Sequence, residues 1–183
     1  LLLPKSGAAP FPAVVMVHGT SGPDARYAFH TPKLLEAGIA VFQVDFKTGV
    51  FTGAKDRPKM RFFTPLLYSA LRALRARPEI DPERVGTMGF SLGGAVSMQA
   101  AMQYERSKWL QPGEAGFAAH VGYYPSCRWR LRMFNKNASK DLPATDVFAG
   151  GPMMILAGSE DSYGDGKNCP TFAGMLNKIK PGI

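Results

Sequence analysis

One short segment constrains the fold of this chain more than any other: Gly89-Phe90-Ser91-Leu92-Gly93-Gly94, which lies where a strand pattern gives way to a helical one. Glycines two positions either side of a serine permit a turn too tight for side chains there, leaving the serine hydroxyl exposed above the strand end. The helix that follows directs its amino terminus, with its positive dipole end and unpaired N–H groups, at that hydroxyl. Such a junction belongs to a strand buried in a sheet and followed at once by a covering helix. Ser91 is therefore expected to act as a nucleophile, and the chain to be an α/β protein.

The rest of the chain agrees with that architecture. Apolar runs without polar alternation occur at Ala13–Val17, Ile39–Val44, Val85–Phe90, Phe117–Tyr123 and Met153–Ala157, as strands of a parallel sheet covered on both faces require. Helical patterns lie between them. The spacing of Phe63, Leu66, Leu67, Ala70, Leu71 and Leu74 predicts a helix over 64–77, with Pro65 in its first turn and Pro78 at its stop. Further helices are predicted over 26–37, from Leu92 to about Arg106, and from Cys169 to Lys180, with no repeat or linker dividing the chain. A chain of 183 residues with 45% hydrophobic residues can build one core without metal or a disulfide framework. No run approaches the ~18 apolar residues that span a bilayer.

Two further segments carry chemistry. The first strand ends in His18-Gly19-Thr20-Ser21-Gly22, where this architecture supplies a backbone N–H to an oxyanion. The N–H groups of Thr20 and Leu92 are the expected pair, with His18 shaping the loop. The fifth strand leads into Gly158-Ser159-Glu160-Asp161. In a Ser…Asp…His order the acid leaves a later strand, which points to Asp161, with Glu160 and Asp165 as alternatives.

The base is the gap. His18, His30 and His120 are the only histidines, and all three precede Asp161. The segment after Asp161 is long enough for the last helix but not for another strand and a histidine loop. Leu1-Leu2-Leu3-Pro4 reads as the tail of an earlier strand, so the chain is expected to be a partial domain cut at both ends. Exposed strand edges left by such cuts would allow two copies to pair.

Together with Tyr124-Pro125-Ser126-Cys127 and Asp81-Pro82-Glu83-Arg84-Val85-Gly86, these segments resemble the dienelactone hydrolase family of α/β-hydrolases over roughly residues 10–180. The resemblance implies a three-layer sandwich around a mostly parallel sheet, incomplete at its first and last strands. It also implies hydrolysis of a small ester or lactone without metal or organic cofactor. Dienelactone hydrolase proper uses a cysteine nucleophile, so Ser91 points to a general carboxylic-ester hydrolase. Cys127 and Cys169 would fall near the carboxyl ends of neighbouring strands. Joined, they would tie the site loops together and favour an exported protein; as two reduced thiols they would not.

The formal net charge of +8 raises a rival class. Basic and aromatic residues interleave from Arg128 to Lys136, as on surfaces that hold phosphates and stack bases. A non-catalytic binding protein on the same fold, using its pocket or this basic 128–140 excursion, is the alternative. The hydrolase motifs leave nucleic acid a minor place. Pocket walls are expected from Phe46–Met60 and Tyr124–Phe148.

Overall fold

The computed structural model describes residues 1–46, 63–138, 148, 150–162, 165–179 and 181. In chain order the elements are β1 (Phe11–Val17), α1 (Ala25–Glu36), β2 (Ala40–Val44), α2 (Phe63–Arg75), β3 (Ile80–Phe90), α3 (Leu92–Gln99), α4 (Gln103–Trp109), β4 (His120–Tyr123), α5 (Cys127–Ala138), β5 (Met153–Leu156) and α6 (Asp165–Ile179).

The unbroken apolar runs become strands of one five-stranded sheet in the order β2-β1-β3-β4-β5, all parallel. Ala13, Val15 and Val17 of β1 join Leu67, Leu71 and Leu74 of α2 and Val96 of α3 on one face. Val14 and Met16 join Tyr27 of α1 on the other. Both sets are buried, which is why β1 shows no alternation with polar residues. The Tyr27 hydroxyl shares its proton between Met16 O at 2.7 Å and Val44 O at 2.9 Å, bonding α1 to two strand ends.

The chain winds outward from β1 to β2, then crosses back over β1 to β3 and continues the other way. Winding thus reverses between β1 and β3, and the carboxyl ends of those two strands flank the crevice where open α/β sheets bind ligands. The segments that end on this crevice are His18-Gly19-Thr20 and Phe90-Ser91-Leu92.

Expectations change between β3 and β5, and the last helix opens at Asp165 instead of Cys169. The helix expected from Leu92 to about Arg106 is two helices, because Met102 leaves the helical conformation to form an antiparallel backbone bridge with Phe148. The basic excursion is the helix α5 within its described part, and Arg130, 2% exposed, turns into the protein instead of joining a solvated face. Burial lowers the Arg130 pKa to about 10, while its guanidinium donates to Gln99 in a cluster with Tyr104 and Glu105. The strand tail foreseen at Leu1–Pro4 contributes Leu2, which exchanges backbone bonds with Val41 at 2.8 and 2.9 Å. Residues 47–60 of one expected pocket wall lie outside the described residues, as do 139–147 of the other. Among the described residues no helix is long and apolar enough to cross a membrane.

Candidate active site

Ser91 stands between β3 and α3 with φ 52° and ψ −114°. A non-glycine residue in the left-handed region is strained and persists only where its surroundings enforce it. Here the enforcement is close packing. A Cβ at Gly89 would sit 2.1 Å from Gly93 O, and one at Gly93 would sit 2.2 Å from Val17 O and 2.5 Å from His18 O. Neither contact is sterically allowed, so both positions require glycine and the elbow presses directly on the end of β1. The Ser91 N–H donates to Tyr123 O at 2.9 Å, fixing the turn to β4 as well.

The loop after β1 is built beside this elbow. A methyl group at Gly19 would lie 3.3 Å from Phe90 O and 3.5 Å from Ser91 Cβ, so Gly19 and Ser91 are close neighbours. His18 shapes the loop: its Nδ1–H donates to Gly19 O at 2.6 Å, and its Nε2 accepts the Phe46 N–H at 2.8 Å. With both ring nitrogens committed, His18 holds the loop and is not aimed at Ser91. Asp45 Oδ1 lies 3.6 Å from the same Nε2. Thr20 follows, exposed, with a Gly22 N–H to Gly19 O bond of 3.2 Å closing the turn. Leu92 opens α3, where the first N–H groups lack intrahelical acceptors.

The other two histidines lie elsewhere. His30, on α1, packs its ring 5.2 Å from the Phe90 ring and 5.1 Å from the Tyr123 ring. His120 is buried in β4 under the elbow helix, with Nδ1 donating to Ser97 O at 2.9 Å and 3.1 Å from Thr87 Oγ1. Burial lowers its pKa to about 4.

Asp161 lies in the loop after β5, two strands along the sheet from β3, with its N–H 3.3 Å from Gly158 O. Glu160 precedes it in the same turn, and Asp165 begins α6. Cys127 and Cys169 form a disulfide that joins α5 to α6. Both half-cystines are buried, in a cluster with Met98, Phe172 and Leu176. The bond therefore ties together the segments following the Tyr124 turn and the Asp161 loop. Among the described residues no group of three or more His, Cys, Asp or Glu side chains could hold a metal ion.

Sequence reasoning passed over Arg26. Its Nε donates to Asp24 Oδ1 at 2.7 Å, Nη2 reaches Ser21 Oγ at 3.2 Å and Asp24 Oδ2, and Nη1 reaches Tyr124 OH at 3.3 Å. The available signal was Asp24 as the N-cap of α1, whose side chain accepts the Arg26 N–H at 3.0 Å.

A parallel sheet with a strained serine at the reversal of its winding, enclosed by the loop of the neighbouring strand, defines an α/β-hydrolase fold. The comparisons agree. The chain belongs to the dienelactone hydrolase family, whose sequence model matches residues 1–181. A thermophilic esterase of Thermogutta terrifontis, solved with bound propionate, superposes with a TM-score of 0.71 at 20% identity over 97% of this chain and 72% of that one. Its tabun-modified form gives 0.68 at 19% identity, with the same coverage. An uncharacterized protein of Mycobacterium tuberculosis is 26% identical over 160 residues, 86% of this chain and 55% of that protein. Esterase FrsA of Yersinia pestis is 34% identical over 101 residues, 54% of this chain and 24% of the esterase. The chain thus spans about half of the mycobacterial relative and a quarter of the Yersinia one.

Proposed function

We propose that the protein hydrolyses small carboxylic esters or lactones through an acyl-enzyme on Ser91. Ser91 Oγ attacks the carbonyl carbon, and the Thr20 and Leu92 N–H groups receive the developing oxyanion. Collapse of that intermediate breaks the ester C–O bond and releases the alcohol, which takes the proton that Ser91 gave up. Water then attacks the acyl carbon, the carboxylic acid leaves, and water's remaining proton restores the Ser91 hydroxyl. Asp161 orients a histidine base, a role this reading assigns to none of His18, His30 and His120. Neither a metal nor an organic cofactor takes part.

The observation that carries this reading is the positive φ of Ser91, maintained against its cost by glycines that nothing larger can replace. The esterases among the relatives support the substrate class. Labelling with a fluorophosphonate, followed by peptide mass spectrometry, tests it. The expected result is slow, single-site modification of Ser91 that Ser91→Ala abolishes; modification confined to other residues overturns the assignment.

The buried disulfide supports maturation in an oxidising compartment. Within the described sheet β5 is the end strand, and the reading includes self-association by backbone pairing along it. The non-catalytic alternative is favoured by His18, whose two ring nitrogens both bond to backbone, and by His120, buried in β4. It loses one cation of its basic surface to the burial of Arg130.

A further inference from the structure

The loop expected to hold the oxyanion is tethered at one end by His18 and at the other by a network that no motif announces. Arg26 leaves the first turn of α1 and spreads its guanidinium beneath residues 19–24. Three of its contacts are to that loop and the start of its helix: Asp24 through Nε and Nη2, and Ser21 Oγ through Nη2. A fourth crosses to the turn after β4, where Nη1 reaches the Tyr124 hydroxyl at 3.3 Å. The guanidinium carbon also lies 5.7 Å from the centre of the Phe90 ring, immediately before Ser91. A methyl group at Gly19 would be 3.6 Å from Arg26 Nη1 and 3.5 Å from Ser91 Cβ, so this cation lies against the backbone that flanks the nucleophile.

Tyr124 is itself firmly held. It adopts φ 39°, and its N–H donates to Leu156 O at 2.6 Å, so the backbone that carries this side chain is anchored to β5. We infer that Arg26 is a positioning residue: it fastens the Gly19–Asp24 loop to the Tyr124 turn and so sets where the Thr20 N–H points relative to Ser91. This rests on the reading of Ser91 and Thr20 given above. The side-chain type matters, because a guanidinium spreads its donors over three nitrogens in a planar fork that serves two loops at once, whereas a lysine gathers its three donors on one nitrogen. Asp24 keeps its charge, since the Arg26 side chain beside it lowers its pKa to about 2. The tether therefore persists throughout the neutral range.

Two readouts on the intact chain test the inference. The first is hydrogen exchange in peptides covering residues 18–24, where the Gly22 N–H to Gly19 O bond reports loop closure. Arg26→Ala and Tyr124→Phe, the latter removing only a hydroxyl, should speed this exchange about tenfold and severalfold respectively, with β1 and β3 amides unchanged. Unchanged loop exchange in both variants overturns the tether. The second is the rate of fluorophosphonate attachment to Ser91, which should fall at least about tenfold in Arg26→Ala and be only partly restored in Arg26→Lys. An unchanged rate, or full restoration by lysine, overturns the positioning role. Attachment away from Ser91 in the unaltered chain refutes the nucleophile instead, and the exchange readout then still decides the tether.

Discussion

Cys127 and Cys169 join the first residue of α5 to the second turn of α6, across 42 residues of chain, inside the core cluster that includes Phe172 and Leu176. A closed loop of that length removes enough freedom from the unfolded chain to stabilise the fold by about 4 kcal/mol on chain-entropy arguments. Replacing both with alanine should lower the urea unfolding free energy by about 2–4 kcal/mol. Native-state thiol titration under mild reductant should proceed slowly because both sulfurs are buried. A double variant as stable as the parent would remove the disulfide from the account.

Glycine requirements differ sharply along the chain. Gly93→Ala forces a methyl to 2.2 Å from Val17 O, backbone that belongs to the central sheet, whereas a methyl at Gly158 meets nothing within 4 Å. Gly93→Ala should destabilise by about 3 kcal/mol or more, through overpacking against atoms that cannot retreat. Gly158→Ala should lie within about 0.5 kcal/mol of the parent. Denaturant unfolding of the pair gives the comparison directly.

Acid stability follows from His120. Its folded pKa, about 4, lies below the ordinary value of 6.5. Between those values the unfolded chain binds the proton and the folded chain does not, so stability is full above about pH 6.5 and falls as pH drops towards 4. At pH 4.5 the loss from this one group is about 2–3 kcal/mol relative to pH 7. His30 shifts downward too, mainly by burial and then by nearby Lys33, and adds to the same slope. His120→Gln retains His30, so unfolding midpoints measured at pH 7 and 4.5 should show a flatter pH dependence than the parent. An unchanged slope would mean that His120 titrates normally.

Arg130 and Arg128 are neighbours in sequence with opposite fates. Arg130→Ala removes a buried cation from Gln99 and from the neighbourhood of Tyr104 and Glu105, and should cost about 3 kcal/mol. Arg128 is exposed, and its replacement by alanine should change stability by less than about 0.5 kcal/mol. Thermal unfolding of the two variants checks the contrast.

The elbow was legible in the sequence because its demands are local. Gly89, Ser91 and Gly93 are set by one turn, and β1 and the parallel sheet declare themselves by apolar runs that need no partner to be recognised. Features set by distant residues were not legible. The helix break at Met102 depends on Phe148, and nothing in Ala100-Ala101-Met102 disfavours a helix. Arg130 looks like every other cation of its segment until folding brings Gln99 to its guanidinium and Tyr104 and Glu105 near it. The last helix was expected to open at Cys169, but it begins at Asp165 and carries Pro170 inside it. The site divides in the same way: Ser91 and the His18 loop follow from short motifs, whereas Arg26 and Tyr124 meet only through folding.

The central claim is that Ser91 becomes acylated. Exposure to p-nitrophenyl acetate, followed by an acid quench and peptide mass spectrometry, measures this directly, since the quench traps the acyl group on the residue that carries it. The account predicts up to one acetyl group per chain, on the peptide containing Ser91 and absent from Ser91→Ala. Acetyl groups found only on lysines or other serines, at equal levels in both proteins, would contradict it.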